Sequence, residues 1–234
     1  MSNESFLLPS NISVVHGDEM RFATLSVEAL FQGYGTTLGN ALRRVMLSSL
    51  KGAAITSVKI HGATHEFTAL KGVKEDIVEI TLNLKQVRLR VFTDEPVRMT
   101  LEKKGMGKVT AGDFSKNSDI EIANPDLVIA TVTDENVPFK LEAIATQGRG
   151  FIPVEERESE ELEVGMIKLD AIFSPVKTVA IRVEPVRIGE ITNFDRLVLD
   201  IETDGTITPE DAVKQSVNIL MDHFRIINEA SALQ

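Results

Sequence analysis

The chain has 234 residues, with 35 acids against 25 bases for a formal charge of -10, no cysteine, no tryptophan and 5% aromatic residues. The absence of cysteine removes thiolate metal sites and thiol nucleophiles and fits a reducing compartment. The acidic balance and scarce aromatics argue against broad binding of nucleic-acid backbone or stacked bases. With no basic-then-apolar leader and no apolar run near the roughly 18 residues of a membrane span, the expectation is a soluble cytoplasmic protein.

In chain order, the first signal is residues 24–30 (TLSVEAL), where Leu25, Val27 and Ala29 alternate as in a half-buried strand. Gly33 and Gly35 end it, and the stretch QGYGTTLGNALRRVMLSSL runs from them into a helix-like segment with paired arginines. A dinucleotide-binding turn needs Gly-x-Gly-x-x-Gly after a buried parallel strand, with an acid about 20 residues further on. Here Leu38 holds the place of the third glycine, Gly39 comes one residue late, and no Gly-Lys-Ser/Thr follows. A small-molecule or nucleotide-binding enzyme using the Gly33-x-Gly35 turn therefore stands only as the alternative reading.

Advancing about 100° per residue from Leu38 puts Ala41, Leu42, Val45 and Ser49 within roughly 60° of it, which predicts a core face. Leu47 falls opposite, among Asn40, Arg43 and Arg44. An outward Arg-Leu-Arg surface is equally consistent with plain solvent exposure and with a docking patch, where guanidinium groups give forked hydrogen bonds and the leucine fills a pocket.

The middle of the chain is strand-like: SVKIHG, VRLRVF, VRMTLEKKG, LVIATVT, FKLEAIA and VKTVAIRV are separated by Gly, Pro, Asn and Asp. One helix interrupts them in KEDIVEITLNLK, with Ile77, Ile80 and Leu84 at helical spacing and Glu75 and Asp76 placed for its first turn. His61 and His65 lie four apart, but in strand and turn rather than helix, so they read as surface histidines and not as a metal pair. The acid-rich run at 155–163 (EERESEELE) reads as a solvated loop. No nucleophile elbow, paired-Asp metal site or Ser/His/Asp pattern occurs, so no catalytic residue, cofactor or metal is expected on this chain.

Near the end, Asp204-Gly205 signals a turn, followed by Thr208 as N-cap, Pro209 at the first helical position, and Glu210 and Asp211 complementing the dipole. Along the helix, Val213, Val217, Leu220, Phe224 and Ile227 form a heptad stripe, widened by Ala212, Ile219, Ile226 and Ala230. That face exceeds what one sheet needs, so a homodimer partner is the simplest cover, with one large intramolecular core as the other reading.

GYGTTLGNALRRVMLSSLKGAAITSVKIHGATHEF, GVKEDIVEITLNLK, GRGFIPVE, SPVKTVAIRVE and LVLDIETDGTITPEDAV, in that order, resemble the N-terminal region of the alpha subunit of bacterial DNA-directed RNA polymerase. The resemblance implies an α+β fold in two domains. A discontinuous dimerisation domain of antiparallel sheet plus helices would take residues 1–51 and 178–234, and a β-rich insert residues 52–177. It further implies a homodimeric platform for the catalytic beta and beta-prime subunits, with a nucleotidyltransferase activity that belongs to the complex. By position, Arg44 and Leu47 would contact beta, and Lys85 and Leu169 would contact beta-prime. Leu38, Leu42, Val45, Leu220, Phe224 and Ile227 would lie in or beside the dimer interface.

Two departures stand out. Phe31 and Gln32 replace the charged pair that usually precedes the Gly-aromatic-Gly in the family. The family's small DNA-binding C-terminal domain lies beyond the matched region, so no direct DNA or membrane binding is expected of these residues.

Overall fold

The computed structural model describes residues 8–17, 20–63, 67–157, 163–188 and 191–231. The chain opens with strands β1 (Asn11–His16) and β2 (Phe22–Phe31) and helix α1 (Tyr34–Ser48). A long middle section follows: β3 (Lys51–Ile60), α2 (Ile77–Leu84), β4 (Leu89–Val91), β5 (Val97–Lys103), β6 (Gly107–Thr110), β7 (Ile120–Ile122), β8 (Val128–Val132) and β9 (Phe139–Arg149). It continues through β10 (Phe151–Ile152), β11 (Ile167–Lys168) and β12 (Ala171–Ile172), with two short 3-10 turns along the way. Strands β13 (Val176–Ile188) and β14 (Ile191–Thr203) and helix α3 (Pro209–Ser231) complete it.

Contacts divide this into two compact units, residues 1–50 with 175–234, and residues 51–174. The sequence expectation set the joints at 51/52 and 177/178. Pairing explains the difference: Lys51 already sits opposite Arg149 in the second unit, while Val176 sits opposite Thr203 in the first.

The first unit is a four-stranded antiparallel sheet in the order β1-β2-β14-β13. Placing β2 beside β14 joins the two ends of the chain in one sheet, a long-range pairing that local periodicity does not contain. One face is apolar: Leu25, Val179, Leu197, Leu199 and Ile201 pack with Met46, Leu50 and Ala212 from the helical segments. The other face is a polar lattice in which Thr24 donates to Asp200 at 2.7 Å, Arg182 pairs with Asp200 at 2.7 Å, and Arg196 pairs with Glu28 at 2.7 Å. Opposite-charge pairs on a solvated sheet face fix register at little cost.

The alternation predicted for β2 fails at its end. Glu28 and Ala29 together oppose Arg196, and Ala29 takes φ 67°, so the strand bulges and Leu30 turns into the buried set. Phe31 then lies across from Phe194 with ring centroids 5.5 Å apart, so the aromatic at this position packs on a neighbouring strand.

The second unit holds the sheet β11-β3-β9-β5 and the two-stranded pairs β10-β12, β4-β7 and β6-β8. Val97, Met99 and Leu101 on β5 and Phe139, Leu141, Ala143 and Ala145 on β9 face one core, which α2 closes with Ile77, Ile80 and Leu84. Asp76 caps α2 by accepting from the Glu79 amide at 2.7 Å. Glu75, expected in the first turn, is instead buried as a brace on β8, accepting from the Thr131 amide at 2.6 Å and the Thr131 hydroxyl at 2.8 Å. His61 Nε2 lies 3.1 Å from Glu142, and His65 falls outside the described residues, as do 158–162 of the acidic run.

Candidate functional site

The Gly-x-Gly turn is where phosphate chemistry would have to reside. Gly33 caps α1 in the left-handed region at φ 90°, and its amide donates to Asp195 Oδ2 at 2.8 Å. A helix start attracts anions because its first amides are unpaired and its dipole is positive there. In this chain a carboxylate from β14 already fills that role. Gly35 and Gly39 serve a different purpose: a Cβ at Gly35 would stand 2.9 Å from Val183, and one at Gly39 2.8 Å from Leu197 and 3.1 Å from Ile181. The glycines let α1 lie directly on the sheet.

That close approach corrects the predicted core face of α1. The stripe against the sheet is Gly35, Gly39, half-buried Leu42 and Met46, at spacings of four, three and four, so of the expected face centred on Leu38 it keeps Leu42. The helix is turned by roughly 70° from the expected orientation, at about 100° per residue. A scan for large apolar residues passes over glycines, yet here they mark the closest contact.

The rotation gives each predicted residue its place. Leu42 is half-buried against the core, while Leu38 is 39% exposed and, with Ala41 and half-buried Val45, forms an apolar flank outside that core. Arg44 is exposed on the pole opposite the buried stripe, with Arg43 and Asn40 exposed near it. Leu47, expected to point fully outward beside Arg44, is half-buried and packs against the core of the first unit. It lies only about 120° from Gly35, and α3 also touches α1.

α3 begins as its sequence predicts, with the Asp211 amide donating to Thr208 Oγ1 at 3.2 Å. Its first half faces its own sheet through Ala212, Val213, Ser216 and Ile219, and Leu220 is half-buried. From Met221 to Ser231 every residue is exposed, including Phe224 at 62%, Ile226 at 62% and Ile227 at 60%. About three turns of helix, apolar on one side, thus have no cover from the described residues of this chain.

In the second unit, Lys85 follows α2 and its ammonium donates to Asp170 Oδ2 at 2.8 Å, while Asp170 Oδ1 accepts from the Val154 amide at 3.0 Å. The Lys85 ammonium, with the Val154 amide, holds the Asp170 carboxyl below its ordinary value. Leu169, the neighbouring residue expected to meet a partner, is only 2% exposed and belongs to the core. Its amide donates to Thr56 at 2.9 Å and its carbonyl accepts from Arg157. The polar group beside Lys85 is therefore Asp170, which a search for apolar contact residues passes over. Among the described residues, no cluster of three His, Asp or Glu side chains is arranged to hold a metal, and no helix is long and apolar enough to cross a membrane.

Residues 58–174, half of the chain, match the family described as the RNA polymerase Rpb3/RpoA insert domain. The chain is 51% identical over 199 residues to the DNA-directed RNA polymerase subunit alpha of Desulfovibrio desulfuricans (strain ATCC 27774 / DSM 6949 / MB). That alignment covers 85% of this chain and 57% of the relative, so the chain spans little more than half the length of the relative it matches.

Proposed function

The chain belongs to the RNA polymerase alpha-subunit family defined by the Rpb3/RpoA insert domain, and from that membership we propose that it is a homodimeric platform on which the catalytic beta and beta-prime subunits assemble for DNA-templated transcription. The observation that carries the dimer is the end of α3 that no described residue covers, where Phe224, Ile226 and Ile227 are exposed together, and α1 adds an apolar flank at Leu38 and Val45. Apolar surface of this extent on a rigid helix is stabilised by burial against a partner. The interface comprises Leu38, Leu42, Val45, Leu220, Phe224 and Ile227.

Arg44 receives the beta subunit. It is exposed on the side of α1 away from the sheet, where a guanidinium offers several donors in a fixed plane. Leu47 supports that surface from its half-buried seat. Lys85, with Asp170, receives beta-prime through a charged pair on the second unit, and Leu169 holds Asp170 in place from the core. Nucleotide transfer takes place in the large subunits of this cytoplasmic complex, so this chain needs no cofactor of its own. The alternative, a nucleotide site at Gly33-x-Gly35, is disfavoured because Asp195 already occupies the helix start and would repel a phosphate.

The test uses two variants. Leu220→Asp would place a charge in a dry interface and is expected to give monomers or aggregates in sedimentation. Arg44→Ala is expected to remain a dimer while losing co-purification with the beta subunit. A soluble native dimer of the first, or a monomer of the second, would contradict these assignments.

A further inference from the structure

Arg157 lies in the acid-rich run at 155–163 that composition assigns to a solvated loop, yet it is only 8% exposed. It ends the short 3-10 turn Val154–Arg157, and its Nη2 donates to two main-chain carbonyls, that of Thr56 at 3.1 Å and that of Leu169. The Thr56 carbonyl is available because β3 bulges there. Ile55 pairs with Ala145 and Ser57 with Ile144, which leaves Thr56 outside the ladder. The same carbonyl accepts from the Leu169 amide at 2.9 Å. Both main-chain groups of Leu169 are thus tied down, the amide by the bulge and the carbonyl by the guanidinium.

The residue so fixed is the one before Asp170. Asp170 Oδ1 accepts from the amide of Val154, the first residue of the same 3-10 turn, and Oδ2 accepts from Lys85. Lys168 Nζ donates to the Arg157 carbonyl at 2.6 Å and closes the circuit. Residues 154–157 and 168–170 therefore clamp each other, with Arg157 at the buried centre and Lys85 at the open end. Burying a guanidinium is costly, and an apolar side chain of similar volume often replaces such a group without loss of stability. What the guanidinium supplies is direction, because one nitrogen of a rigid plane holds carbonyls from two separate segments. At the open end, the Lys85 ammonium has three donors, and among the described residues its one acceptor is Asp170. Two donors remain for a partner.

We propose that Arg157 is a positioning residue for the beta-prime contact: by fixing Leu169 against the β3 bulge it aims Asp170, and Asp170 in turn aims the Lys85 ammonium at a hydrogen-bond acceptor on beta-prime. This role rests on the assignment of Lys85 to beta-prime made above. Arg157 does not itself meet the partner, since it is buried behind the residues it orients. The bulge at Thr56 has a task in the same scheme, because a strand in unbroken register would keep that carbonyl within its ladder.

A double-mutant cycle tests it, because residues that act through one another lose the same interaction and their effects do not add. Beta-prime is titrated into the assembly that this chain forms with beta, using the parent, Lys85→Met, Arg157→Met and the double variant. Lys85→Met and Arg157→Met are each expected to weaken beta-prime binding by on the order of tenfold, and the double variant no more than Lys85→Met alone. A merely structural role for Arg157 would not give that convergence. If Lys85→Met weakens binding while Arg157→Met does not, or if the two losses multiply to about a hundredfold, the role of Arg157 is overturned and the Lys85 contact stands. If neither variant weakens binding, the Lys85 contact falls and the role of Arg157 with it. Should Arg157→Met fail to fold, Arg157→Lys, which keeps the charge but not the planar fork, carries the cycle under the same criteria.

Discussion

At the scale of single residues, the glycines after β2 are spacers and not ligands. Gly39 is buried where a Cβ would meet Leu197 at 2.8 Å and Ile181 at 3.1 Å, and Leu197 is itself packed in the core. Gly39→Val is expected to lower stability by about 1–3 kcal/mol, the usual cost of overpacking a tight contact, read as a lower urea midpoint. Asp195 is the counterpart of these glycines, because its carboxylate satisfies the amide at the start of α1. A thermal-shift scan with nucleotides should show no stabilisation, since a ligand bound only by the native state must raise its melting temperature. A nucleotide-dependent rise abolished by Gly33→Val would return the turn to phosphate chemistry.

The Lys85–Asp170 pair makes a pH prediction of definite sign. The Asp170 carboxyl titrates below its ordinary value in the folded chain because of the Lys85 ammonium. Its contribution is therefore fully present above the ordinary carboxylate pKa, near 4, and fades as pH falls through the lower folded value. Lys85→Met should destabilise the chain at neutral pH by a small amount that vanishes in acid. Both groups are partly exposed, so solvent screening keeps the effect small. Denaturant melts of the two proteins at pH 7 and in acid would check it, and a deficit that grew in acid would contradict the sign.

At the scale of elements, α1 has a buried stripe and an exposed pole around its circumference. Leu47→Ala should cost about 1–3 kcal/mol, because that side chain packs on the core. Arg44→Ala should stay within about 0.5 kcal/mol of the parent, because its side chain is exposed on the pole opposite Gly35, Gly39 and Met46. Equal losses in a urea titration would contradict the orientation described for the helix. Sequence reasoning reached much of this but stopped short of the orientation. The cap of α3 was legible because Thr208 acts within three residues of itself, whereas Asp76, expected within the first turn of α2, stands just before it as the cap. The strands were legible from alternation up to the point where Ala29 takes a left-handed conformation and reverses the phase of β2. The face of α1 was not, because the weight given to large apolar side chains favoured Leu38 over Gly35 and Gly39, whose value lies in what they lack. The burial of Leu169 was likewise hidden, since it depends on β3 and the following turns folding over it.

At the scale of the whole molecule, the two units have different characters. The first pairs strands from the two halves of the chain in one sheet and, among the described residues, leaves a helix end and a sheet margin apolar and open. The second is a separate β-rich core with its own charged pair at Lys85 and Asp170. With a formal charge of -10, this chain is expected to show little affinity for duplex DNA at physiological salt, and tight binding in a mobility-shift assay would overturn that. On the proposed function, two identical copies make a platform for two different large subunits. Native mass spectrometry of the complex recovered after co-expression with the beta and beta-prime subunits tests it most directly. The expected complex holds two copies of this 25.7 kDa chain with one beta and one beta-prime. A complex holding a single copy, or large subunits that assemble without this chain, would contradict it.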